Sequence, residues 1–86
     1  MPYIPKQVRH IIANKDKQEV YYGKIENAGE LQYAIAVMLK DFMERKGLKY
    51  QNTNDIMGAL AGAQMEFYRR VVAPYEDLKI EENGDV

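Results

Sequence analysis

Apolar residues recur at three- and four-residue intervals over two long stretches of this chain, and that period of about 3.6 is the mark of amphipathic helices. In the first stretch Leu31, Ile35, Met38 and Phe42 form one stripe, widened by Tyr33, Ala34 and Val37. The sequence predicts a helix over 28–46. Asn27 supplies an amide side chain at the N-cap, Glu30 stands three residues later as in a capping box, and Gly47 suits the residue that closes the helix. In the second stretch Ile56, Leu60, Ala63, Phe67 and Val71 make the stripe, with Met57, Ala61 and Tyr68 alongside. A helix over 53–72 follows, with Asn52 as its cap and Asp55 in its first turn.

Shorter elements flank these two. Pro5 precedes Val8, Ile11 and Ile12 at helical spacing, which predicts a short helix over 5–13. Residues 14–26 mix charge with Tyr21, Tyr22 and Gly23 and show neither helical nor strand period, so they read as a linker docked by its tyrosines. Pro74 is expected to open a last short helix over 74–83 with Leu78 facing inward, before Gly84 and an acidic tail. The short connection 47–51 favours an antiparallel pairing of the long helices. The fold class expected is therefore all-α: one small helical bundle, residues 1–86, built on a long antiparallel hairpin. The run AIAVML is apolar almost all round, so its helix needs cover on more than one side, and a second subunit is the expected source of it.

Composition strengthens the oligomer expectation. A chain of 86 residues without cysteine has a modest core, no disulfide, and few routes to a structural zinc site. Absence of cysteine fits a reducing cytoplasm, and no apolar run approaches the ~20 residues of a membrane span. The N-terminus MPYIPKQVRH has no signal-peptide core, so the protein is expected to be cytoplasmic. A net charge of -1 argues against generic DNA or RNA binding. Charge is unevenly placed, with Lys6, Arg9, Lys15, Lys17 and Lys24 early and Glu76, Asp77, Glu81, Glu82 and Asp85 late.

Candidate chemistry concentrates in GALAGAQMEFYRR, residues 58–70. Each glycine inside a helix costs about 1 kcal/mol relative to alanine, so Gly58 and Gly62 are tolerated or required for a close approach. On a regular helix Gly58, Gly62, Met65 and Arg69 fall along one line. Two readings fit that line. In one, another helix packs on the glycines and Arg69 pairs with a carboxylate of that neighbour. In the other, the glycines leave room for a ring while Arg69 holds an anionic group through two hydrogen bonds. Arg70 follows Glu66 by one turn and is expected to form a surface ion pair. Among the 7 tyrosines, Tyr68 and Tyr75 are the candidates for stacking on a base, against the alternative of half-buried packing residues. No nucleophile or general base has a positioned partner, and His10 stands alone. Paired carboxylates of the kind that hold magnesium on facing helices are also missing. Glu30, Asp41, Glu44, Asp55 and Glu66 are too scattered, so no catalytic residue, metal or cofactor is expected and a magnesium-dependent nucleotide hydrolase ranks third among the functions considered.

The motifs MPYI, GELQYAI, YQNTNDIMGAL, EFYRRVVAPYED and ENGDV resemble those of a family of short uncharacterised proteins found mainly in bacteriophages and their hosts. The resemblance runs over the first few residues and from 29 to 86. It implies a phage-type protein acting in a bacterial cytoplasm. Small helical phage proteins that oligomerise without catalytic groups are similar in outline to sponges that sequester cyclic nucleotides or ADP-ribose-derived signals of antiviral defence. By that analogy Arg69 and Arg70 would meet phosphate, tyrosines would stack on a base, and Gly58 and Gly62 would make space at a subunit interface. The alternative is a protein-interaction or assembly factor that uses the glycine face of the same helix.

Overall fold

The computed structural model describes residues 5–14 and 19–85 of the chain, which is mostly helical with one small two-stranded ladder. The segment MPYI, Lys15, Lys17 and the final Val86 lie outside the described residues. Contacts divide the chain into two compact units, Met1–Asn52 and Thr53–Val86.

In the first unit, α1 (Lys6–Ile12) starts at Pro5, whose carbonyl accepts the amides of Val8 and Arg9 at 3.0 and 3.1 Å. Proline suits that place because the ring holds φ near the helical value and its missing N–H would have had no helical partner. The helix ends where Ala13 turns extended, at φ -159 and ψ 148. There the expected linker 14–26 departs from its reading. Strand β1 (Ala13–Asn14) pairs antiparallel with β2 (Glu19–Val20), Ala13 opposite Val20 and Asn14 opposite Glu19. The Tyr21 amide donates to the Ile12 carbonyl at 2.8 Å and extends the pairing, and a 3₁₀ turn over Tyr22–Lys24 leads into the next helix. Strands of two residues are too short for alternation to register in sequence, since one step of the period-2 pattern is all they contain.

Helix α2 (Ala28–Lys46) begins at Asn27, whose Oδ1 accepts the Glu30 amide at 2.9 Å. Glu30 reaches back: its Oε2 accepts from Asn27 Nδ2 at 2.9 Å and its Oε1 from the Glu26 amide at 3.0 Å. Three donors at the helix start are satisfied this way. At the other end Gly47 has φ +96, a backbone conformation that L side chains rarely adopt, and its amide closes on the Met43 carbonyl at 2.7 Å. Asn52 also serves this end. Its amide nitrogen donates to the carbonyls of Lys46 and Gly47 at 3.1 and 2.8 Å, so it caps α2 and not the start of α3, which begins two residues earlier at Tyr50. Asp55 consequently falls beyond the first turn of α3.

The core of this unit forms where α1 and the ladder cover α2. Ile12, Ala13 and Val37 are buried, with Val8, Val20, Ile25 and Tyr33 packed around them. The covered face of α2 therefore carries Tyr33, Ala34 and Val37, while Leu31 and Met38 of the expected stripe are about half exposed.

The second unit follows one helical path. Helix α3 (Tyr50–Phe67), which enters from the first unit, passes into a π-helical segment over Tyr68–Val72 and then into α4 (Ala73–Asn83), with Phe67, Val72 and Ala73 all at right-handed helical angles. The break expected at 72–74 is absent. Pro74 has no N–H for the usual bond, and in a regular helix its ring would meet the carbonyl of Arg70. The chain answers by widening one turn: the Ala73 amide donates to the Tyr68 carbonyl, five residues back. Gly84, at φ +85, ends the path with its amide on the Ile80 carbonyl at 2.8 Å.

No residue along this path is buried. Of the stripe read as core, Ile56 and Leu60 are half-buried, whereas Ala63, Phe67 and Val71 are exposed. Leu78, expected to face inward, is exposed as well. Within Thr53–Val86 a single helical path has no second element to pack on, so periodicity alone does not bury its apolar side.

Candidate anion site on the π-helical turn

The residues singled out at 68–70 sit on the widened turn itself. A π turn admits about one extra residue per turn, and with 3.6 residues per turn that shifts everything downstream by roughly 100° around the axis. Residues eight apart, about 80° out of line on a regular helix, then come nearly into line. Tyr68 and Glu76 are such a pair. The Tyr68 hydroxyl donates to the Glu76 carboxylate, and that bond, followed by the Glu76 charge, desolvation and the charge of Asp77, raises the tyrosine above its ordinary value of 10.0.

Upstream of the turn, Gly62, Gln64, Met65, Glu66, Tyr68 and Arg69 line an open depression of about 710 Å³ along the helix. Four of the sequence-predicted residues are thus brought together: Gly62, Met65, Tyr68 and Arg69. Gly58, Arg70 and Tyr75 are not part of its lining. A Cβ added at Gly58 or Gly62 would meet nothing within 4 Å, so within the described residues neither glycine is held by close packing. Met65 is 71% exposed.

Glu66 organises the cations. Its carboxylate lies against Arg70 Nε in a close ion pair, while Arg69 Nη2 stands 3.4 and 3.5 Å from its two oxygens. Arg69 and Arg70 remain 71% and 69% exposed at their side chains. One carboxylate against two guanidinium groups leaves the cluster with a single net positive charge. Spacing predicted the Arg70 pair; it also contained the Arg69 contact, because Glu66 precedes the two arginines by three and four residues. Tyr75 is engaged elsewhere. Lys79 Nζ lies over its ring, 5.5 Å from the centroid, and also reaches Glu82 at 3.3 Å.

Other chemistry is sparse. Among the described residues no three His, Cys, Asp or Glu side chains converge as a metal site would need. Among them, too, no helix is long and apolar enough to cross a membrane. The arrangement is suited to holding an anion reversibly at Arg69, with an apolar or aromatic body laid along Met65 and Tyr68.

Neither the curated proteins nor the solved structures contain a match to the chain. A family model matches over residues 1–86, and the chain therefore belongs to the family described as Domain of unknown function (DUF6899).

Proposed function

We propose that the chain is a non-enzymatic binding protein of phage type, acting as a homo-oligomer in a bacterial cytoplasm, which sequesters an anionic nucleotide-derived immune signal. The observation that carries this reading is the shared depression: a glycine without a side chain, a flexible Met65, the ring of Tyr68 and an exposed Arg69 converge there. Arg69 offers a planar fork for two phosphate oxygens, Tyr68 a face for a base, and Gly62 the room for a ring. Exposed apolar side chains at Met57, Phe67, Val71, Leu78 and Ile80 favour cover by further subunits. Binding, and not turnover, is the activity proposed, since no nucleophile with a positioned base adjoins the depression.

The test is calorimetric titration with cyclic dinucleotides, cyclic trinucleotides and cyclic ADP-ribose isomers, for the parent chain and for Arg69→Ala. Binding by the parent and its loss in a variant of unchanged circular dichroism is the expected result. Binding retained by Arg69→Ala would count decisively against the reading.

A second reading draws on the open space at Gly58 and Gly62, which would let another protein's helix lie against α3. It makes the chain an assembly factor. Gly62→Leu would then dissociate the complex, and an unchanged mass by light scattering would reject it.

A further inference from the structure

Two arginines stand at the anion site, and the structure does not treat them alike. Arg69 lines the depression and Arg70 does not. Glu66 lies tightly against Arg70, while its oxygens are 3.4 and 3.5 Å from Arg69, at the outer limit of hydrogen bonding. A carboxylate on a helix competes directly with an incoming phosphate, because both satisfy the same guanidinium fork. Whether Arg69 is available to a ligand thus depends on where Glu66 is held.

We propose that Arg69 is the ligand-facing cation and that Arg70 is a positioning residue, which draws Glu66 aside and keeps it from closing over Arg69. This rests on the anion-binding reading given above and assigns the roles within it. Without Arg70, Glu66 has one cation left within reach, three residues away on the next turn. It swings fully onto Arg69 and becomes an internal stand-in for the ligand's phosphate. Arg70 then controls affinity without touching the ligand.

A simple charge effect would also weaken anion binding on loss of Arg70, and a double-mutant cycle separates the two. If charge alone acts, Glu66→Gln raises affinity by the same factor whether or not Arg70 is present. If Arg70 positions Glu66, the same substitution raises affinity by a larger factor in Arg70→Ala than in the parent chain. Exposed pairs of this kind are weak, so the expected non-additivity is about fivefold.

The experiment follows the side-chain Nε–H resonances of Arg69 and Arg70 by nuclear magnetic resonance while the full-length chain is titrated with inorganic pyrophosphate, which reports even millimolar binding. In the parent, the Arg69 resonance moves and that of Arg70 stays. Arg70→Ala binds about fivefold more weakly, and Glu66→Gln raises affinity in both backgrounds, by a factor about fivefold larger in Arg70→Ala than in the parent. Equal effects of Glu66→Gln in both backgrounds would overturn the positioning role and leave Arg69 as an anion site. Pyrophosphate that moves neither arginine in the parent or in Glu66→Gln would overturn the anion-binding reading itself.

Discussion

Tyr68 shows how much a single side chain here depends on backbone geometry. Its hydroxyl donates to Glu76, and this bond, more than the neighbouring charges or desolvation, disfavours the phenolate. A folded-state value raised above that of the unfolded chain stabilises the fold below pH about 10 and loses that contribution as pH climbs through the raised value. Replacing Glu76 by Gln removes the anion and leaves Asp77 as the lesser neighbour. The Tyr68 ring, followed by carbon-13 resonance during a pH titration, is then expected to ionise at lower pH than in the parent. An unchanged midpoint would mean that the hydroxyl has no such partner. At this scale the sequence was informative about residue types and less so about their partners. Glu66 at three and four residues before the arginines was readable from spacing, but the Tyr68 to Glu76 pairing was not, because eight residues on a regular helix point in different directions.

The elements divide in the same way. Helix α2 carries its punctuation in sequence: Asn27 and Glu30 at the start and Gly47 at the end make the contacts that such residues make at helix termini. The ladder of Ala13–Asn14 with Glu19–Val20 left no trace, since two residues cannot show alternation. Pro74 was misleading for a different reason. A proline marks a helix boundary when the preceding turn is α-helical; a π turn moves the obstructing carbonyl out of its way and lets the helix continue. It follows that Pro74 sets the register between the two halves of the helical path. Pro74→Ala removes the need for the wide turn, and the segment is expected to relax to a regular α-helix with Tyr68 and Glu76 rotated apart by roughly 100°. The Tyr68 titration should then fall as it does in Glu76→Gln, though neither partner is changed, while helicity by circular dichroism holds or rises. A Tyr68 midpoint equal to the parent's would contradict this account of the π segment.

For the whole molecule, the imbalance between apolar content and burial is the main physical fact. Hydrophobic residues make up 47% of the chain, yet the buried set among the described residues is Ile12, Ala13, Ala34 and Val37. The first unit leans on Ile12 in particular, which is fully buried among Val8, Val20, Ile25, Tyr33 and Val37. Truncating it to alanine should cost about 3 kcal/mol, read as a lower midpoint in urea denaturation. A shift worth less than about 0.5 kcal/mol would show that this small core does not hold the unit together. The second unit has no comparable core, and its exposed Phe67, Val71 and Leu78 are what the proposed oligomer would cover. Native mass spectrometry of the full-length chain, with and without cyclic dinucleotides, cyclic trinucleotides and cyclic ADP-ribose isomers, tests that proposal most directly. The account predicts a discrete oligomer that gains one ligand mass per site with at least one of these compounds. A monomer, or an oligomer whose mass is unchanged by all of them, would contradict it.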